Sequence, residues 1–176
     1  MNINQVTNAV RFGKFIRNPK STKANLAIEW DSARSEQELK DDAGRVYILC
    51  VNGEIMKIGG SQGKNGIKST MTFYTGGNTG KPSIRSFGIN LLILREIDKG
   101  NLVEVFMISS KQVLAPVKGL FKQVTLPVSA FKEMESKCVK DFVDSEGCFP
   151  DWNYQESGKA WESDIQSAHA SMLAKK

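Results

Sequence analysis

Residues 45–61, RVYILCVNGEIMKIGGS, decide the fold. Two apolar, β-branched runs flank Asn52-Gly53, a pair that accepts the positive φ angles of a tight hairpin turn. The pattern predicts strands over 45–51 and 54–59. Alternation places Val46, Ile48 and Cys50 on one face, with Tyr47, Leu49 and Val51 on the other. In the second strand Ile55, Lys57 and Gly59 share a face, opposite Met56 and Ile58. Lys57 is a cation in an otherwise apolar strand, followed at once by Gly-Gly-Ser. Glycines at a strand end let another backbone, such as a phosphodiester, come close. An edge lysine can equally snorkel into solvent.

The chain has 176 residues, long enough for one domain with a buried core or one domain with tails. Its 24 Lys and Arg against 19 Asp and Glu give a formal charge of +5, a mild basic bias compatible with a polyanionic partner. Cys50, Cys138 and Cys148 form no CxxC pair, and His169 is the one histidine. That set argues against zinc and for a reducing cytoplasm. No apolar run approaches the roughly 18–20 residues needed to span a membrane, so a soluble protein is expected.

Outward from the hairpin, residues 1–43 read as a basic arm and a helix. The arm carries Arg11, Lys14, Arg17, Lys20 and Lys23, suited either to phosphate contact or to solvent. Asp31-Ser32 is the expected helix start, with the helix running to about Lys40. Downstream, Gly63-Lys64-Asn65-Gly66 leads into a short helix or turn over 67–74 whose surroundings are rich in Gly, Ser, Thr and Lys. The GxxxxGK[ST] spacing of a P-loop is absent. Ser83 caps a helix with Ile84, Phe87, Leu91, Leu94 and Ile97 at helical spacing, although 89–94 also suits a strand. Residues 102–109 read as a third strand, and a segment broken by Pro116 and Gly119 follows. A second long helix is expected over 127–142, then Pro150-Asp151-Trp152-Asn153, and a terminal amphipathic helix over 158–173.

This order resembles the GIY-YIG nuclease family over residues 44–153. Arg45-Val46-Tyr47 stands in the place of the GIY triplet and Lys57-Ile58-Gly59 in that of YIG, with Tyr47 and Lys57 ten positions apart. Pro150 and Asn153 look like the family's terminal Pro-x-x-Asn, and Glu135 is similar to its metal-binding glutamate. The resemblance implies an α+β fold, a small three-stranded, mainly antiparallel sheet flanked by helices, with N- and C-terminal extensions (1–43 and 154–176). Lys57 replaces the usual tyrosine, a feature of the restriction-endonuclease branch. Lys68 falls where a helical arginine is expected, and an ammonium does not freely replace a guanidinium; Arg85 is the other candidate.

By this resemblance the chain is a Mg²⁺-dependent endonuclease of double-stranded DNA, with Mn²⁺ as another usable ion. Tyr47 orients or deprotonates the attacking water, and Lys57 either accepts a proton or favours a tyrosinate. Lys68 or Arg85 holds the phosphate, Glu135 carries the metal, and Asn153 secures the site. Glu133 is the rival ligand; Glu135 is preferred because Cys138, Val139 and Phe142 follow it at buried-stripe spacing. A type II restriction enzyme acting as a homodimer is the leading expectation. The arm, the 60–81 loop and the terminal helix are its candidates for DNA or dimer contact. A non-catalytic DNA-binding protein, or a phage or repair endonuclease of loose specificity, are the alternatives.

Overall fold

The Asn52-Gly53 turn takes positive φ at both residues, 49° and 85°, and sets the register of everything around it. The computed structural model describes residues 1–21, 24–110 and 112–174. In order, the elements are β1 (Val10–Arg17), β2 (Leu26–Trp30), α1 (Glu36–Lys40), β3 (Gly44–Val51), β4 (Glu54–Ser61), α2 (Gly66–Thr75) and α3 (Ile84–Asp98). They continue with β5 (Val103–Ser110), β6 (Val113–Lys118), β7 (Gln123–Val128), α4 (Phe131–Glu146), α5 (Tyr154–Ser157) and α6 (Ser163–Ala174). The architecture is α+β. Five strands form an antiparallel sheet in the order β2-β1-β5-β3-β4, while β6 and β7 make a separate ribbon.

The sheet thus has five strands where three were expected. The additional two come from the segment read as an arm, which pairs onto β5 through β1. Three of its cations pair with carboxylates elsewhere in the fold. Arg11 bonds Glu104 at 2.7 Å and Asp31 at 3.1 Å, Lys14 meets Glu29 at 3.0 Å, and Arg17 reaches Asp98 at 2.7 Å. Lys23 lies outside the described residues. The helix expected from Asp31-Ser32 begins later, at Glu36, because Ser35 and Glu38 form a reciprocal capping box. The helix expected from residue 127 begins at Phe131, since Leu126 and Pro127 belong to β7.

Helices cover both sheet faces. Tyr47, Leu49, Val103 and Val105 pack with Ile67, Met71, Phe87, Ile93 and Ile165 from α2, α3 and α6. Val46, Ile48, Cys50, Ile55 and Ile58 pack on the other side with Val139 and Phe142 of α4. Ile55 therefore lies with Ile58 rather than on the Lys57 face. A bulge between Leu49 and Cys50 makes Met56 the extra residue, and the strand changes phase there. The apolar stripe of the terminal helix is spent on the core: Ile165 is fully buried, and Trp161, Ala168 and Met172 pack around it. Among the described residues no helix is long and apolar enough to cross a membrane.

Candidate active site

β4 is an edge strand, and its last residues are Gly59-Gly60-Ser61. Register pairs Tyr47 with Gly59 and Leu49 with Lys57, so Tyr47 and Lys57 share a face as diagonal neighbours. The next residue, Gly60, presents the opposite face. A Cβ on Gly59 would sit 2.4 Å from the Tyr47 hydroxyl, and a Cβ on Gly60 would sit 2.4 Å from Glu135 Oε2. The two missing side chains open a window in the strand: the phenol occupies it from one side and the α4 carboxylate from the other.

A cavity of about 300 Å³ opens at this window, lined by Tyr47, Gly60, Tyr74 and Arg85, with the exposed ring of Phe73 at its rim. A second, of about 490 Å³, lies along α4 and is lined by Glu135, Lys140 and Glu156. Tyr47 is 3% exposed, and its hydroxyl is 2.6 Å from that of Tyr74. Arg85 is fixed by Gln155 Oε1, to which Nη1 donates at 2.8 Å.

The electrostatics follow from burial. Burial raises the Tyr47 phenol above its usual pKa, against the lowering effect of the Tyr74 hydrogen bond and the Arg85 charge. The phenol therefore stays protonated at neutral pH, and the expected tyrosinate is not supported. Tyr74 is raised further, again chiefly by burial. Burial also opposes the Arg85 charge, but the Tyr74 and Tyr47 oxygens and Glu156 outweigh it.

Lys57 is 2% exposed, and its ammonium donates at 3.5 Å to the Trp152 carbonyl. Burial, then the Arg85 charge, lower its pKa from 10.5 to about 8, while Glu156 and Glu135 pull the other way. It lies behind the cavity wall, not on it.

The Pro150–Asn153 turn closes the edge of β4. Asn153 is fully buried and accepts from Ile58 N–H while donating to Ile58 C=O, both at 2.9 Å, as a neighbouring strand would. Trp152 N–H donates to Met56 C=O at 2.8 Å. Asn153 thus holds the strand that carries Lys57 and both glycines.

Of the two phosphate candidates, the structure brings Arg85 to the cavity and not Lys68. Lys68 is tied to Glu36 on α1, 2.7 Å from Oε2. Of the two acidic candidates, Glu135 faces the glycine window and Glu133 is exposed. Tyr74, Gln155 and Glu156 were not anticipated. Their only sequence signal was position, Tyr74 two residues before Gly76-Gly77, and Gln155 and Glu156 two and three residues after Asn153.

Among the described residues no group of three or more His, Cys, Asp or Glu is placed to hold a metal ion. The donor set does fit Mg²⁺, which keeps several waters and needs only one or two carboxylates. Glu135 offers one beside the space above Gly60, and Glu156 lines the same cavity.

No family model matches the chain, and no curated protein matches its sequence. Solved structures do resemble it, among them the following two. A mutant of bacteriophage T4 EndoII is 15% identical, with a TM-score of 0.56 over 87% of this chain and 98% of that one. Restriction endonuclease HPY188I in complex with product DNA is 21% identical, with a TM-score of 0.45 over 81% of this chain and 78% of that one. The chain has the fold of phage EndoII.

Proposed function

We propose that the chain is a divalent-metal-dependent DNA endonuclease of GIY-YIG type, a site-specific restriction enzyme that cuts duplex DNA as a homodimer in the cytoplasm. The glycine window carries the reading. It lets a phenol and a carboxylate reach adjacent glycines at a strand end from opposite sheet faces, with a guanidinium lining the cavity on the phenol side. The fold shared with phage EndoII, itself an endonuclease, supports the same conclusion, and the three free cysteines suit a reducing compartment.

Arg85 binds the non-bridging oxygens of the scissile phosphate, where its fork neutralises charge that grows towards the transition state. The Tyr47 hydroxyl, polarised by Tyr74, orients the attacking water. As the water adds to phosphorus its proton passes by way of Tyr47 to the neutral amine of Lys57, and the phosphorus–oxygen bond opposite breaks. Glu135, with Glu156 near it, would hold a Mg²⁺ or Mn²⁺ ion, which when bound would supply charge stabilisation for the leaving oxygen. Asn153 acts on the site only by fixing β4.

Digestion of long DNA by the purified protein with Mg²⁺, and with EDTA in its place, tests the reading. Discrete bands with Mg²⁺ and intact DNA with EDTA are expected. Intact DNA in both refutes the nuclease proposal, and a smear refutes site specificity.

A further inference from the structure

The β6–β7 ribbon belongs neither to the main sheet nor to either core cluster. All its side chains are exposed except the half-buried Ala115. Its register pairs Val113 with Val128, Ala115 with Leu126 and Val117 with Val124, which makes one face wholly apolar. Its turn carries Leu120 and Phe121, 89% and 94% exposed, between Lys118 and Lys122. A protein rarely leaves its two most exposed large apolar groups at the end of a ribbon unless something meets them there.

The charge says what that is. From Glu104 to Glu133 the sequence contains no acidic residue, but it contains Lys111, Lys118, Lys122 and Lys132. A second copy of the chain would bring the same uncompensated lysines; a polyanion brings the opposite charge. A two-stranded ribbon fits the major groove of B-DNA, about 12 Å wide, where apolar side chains meet thymine methyls.

The ribbon is also rooted at the candidate site. Ser110, the last residue of β5, pairs with Gly44 of β3, and Ser129, just after β7, lies against the same glycine. Arg45, the next residue, pairs with Ser61 beyond the glycine window, and Glu135 is on the first turns of α4, which follows the ribbon directly.

We infer that β6–β7 is a DNA-reading arm: it enters the major groove beside the scissile phosphate, with Leu120 and Phe121 against base edges and Lys118 and Lys122 on flanking phosphates. The partner rests on the nuclease reading above; the arm itself is tested without cleavage.

Binding of a labelled duplex three helical turns long is measured in EDTA over a salt series. The test proteins are wild type, Lys118→Ala/Lys122→Ala and Leu120→Ser/Phe121→Ser, all altered at exposed positions. The lysine pair is expected to weaken binding at least tenfold and flatten the log–log salt slope by about 2. The apolar pair is expected to weaken binding with the slope unchanged. A photoreactive benzoyl group on Phe121 is expected to cross-link to DNA. Wild-type affinity and slope in both variants overturn the inference while leaving the nuclease reading intact. Loss of binding in both variants of a protein that never cuts DNA sustains the arm and refutes the nuclease. Cross-linking of Phe121 to a second copy, with DNA binding unchanged, assigns the ribbon to dimerisation and overturns the inference.

Discussion

Replacing Lys57 by methionine is predicted to stabilise the protein at neutral pH while abolishing cleavage. Methionine matches the length and apolar stem of lysine and removes the buried charge. The ammonium has one long contact, at 3.5 Å, to offset its lost hydration. Its pKa falls from 10.5 to about 8 on folding. At about 1.4 kcal/mol for each tenfold change in proton affinity, holding the charged form costs about 3 kcal/mol at pH 7. Between pH 8 and 10.5 the unfolded chain keeps this proton and the folded chain has released it, so wild-type stability gains from rising pH in that window. Below pH 8 both states are protonated and the full penalty applies. Urea unfolding at pH 7 is expected to show Lys57→Met more stable by about 1–3 kcal/mol, which is about 2–10 °C in Tm for a chain of this size. The gap is expected to narrow as pH rises from 8 towards 10, where wild type catches up. A variant less stable than wild type at pH 7, with a gap independent of pH, refutes the claim that Lys57 is a penalised buried cation.

Four further outcomes are expected. Gly59→Ala places a Cβ 2.4 Å from the Tyr47 ring and hydroxyl; overpacking of this kind costs about 1–3 kcal/mol, and urea unfolding should show that loss together with defective nicking. Arg85→Ala lowers plasmid nicking by about 100-fold or more, the scale of losing a transition-state donor, whereas Lys68→Ala, which breaks an outlying ion pair, stays within a few-fold of wild type. Asn153→Ala strands the buried amide and carbonyl of Ile58 and destabilises by about 2–4 kcal/mol, read as a lower urea midpoint. Wild-type cleavage rises with pH through about 8 as Lys57 becomes neutral, and a flat profile across that range removes its role as proton acceptor.

Much of this molecule was legible in local pattern. The Asn-Gly turn located β3 and β4, and Ser83 capped α3 as expected, accepting from the Ser86 amide. Strand β1 was not legible because its buried aromatic residues, Phe12 and Phe15, are three apart; a bulge between Arg11 and Gly13 breaks the period of two, and the intervening cations resemble a tail. The ribbon was hidden by Pro116 and Gly119, which read as breakers, and by Pro127, which read as the start of a helix. With only two strands, each has a free edge, where a proline need not donate to a ladder. At the site, the sequence offered both Lys68 and Arg85 and could not choose. The structure places Arg85 at the cavity and pairs Lys68 with Glu36, which is distant in the chain. Tyr74 joins the site through the packing of α2 against α3, and Gln155 through its hydrogen bond with Arg85 of α3, which no local pattern announces.

The sharpest test of the two-faced site is Glu135→Gln, which keeps the shape of the side chain and removes its charge. Supercoiled plasmid nicking with Mg²⁺ is to be measured beside duplex binding in EDTA. The account predicts that nicking disappears while affinity for the duplex stays within a few-fold of wild type. Undiminished nicking by Glu135→Gln contradicts it, because the carboxylate behind Gly60 would then have no part in the chemistry.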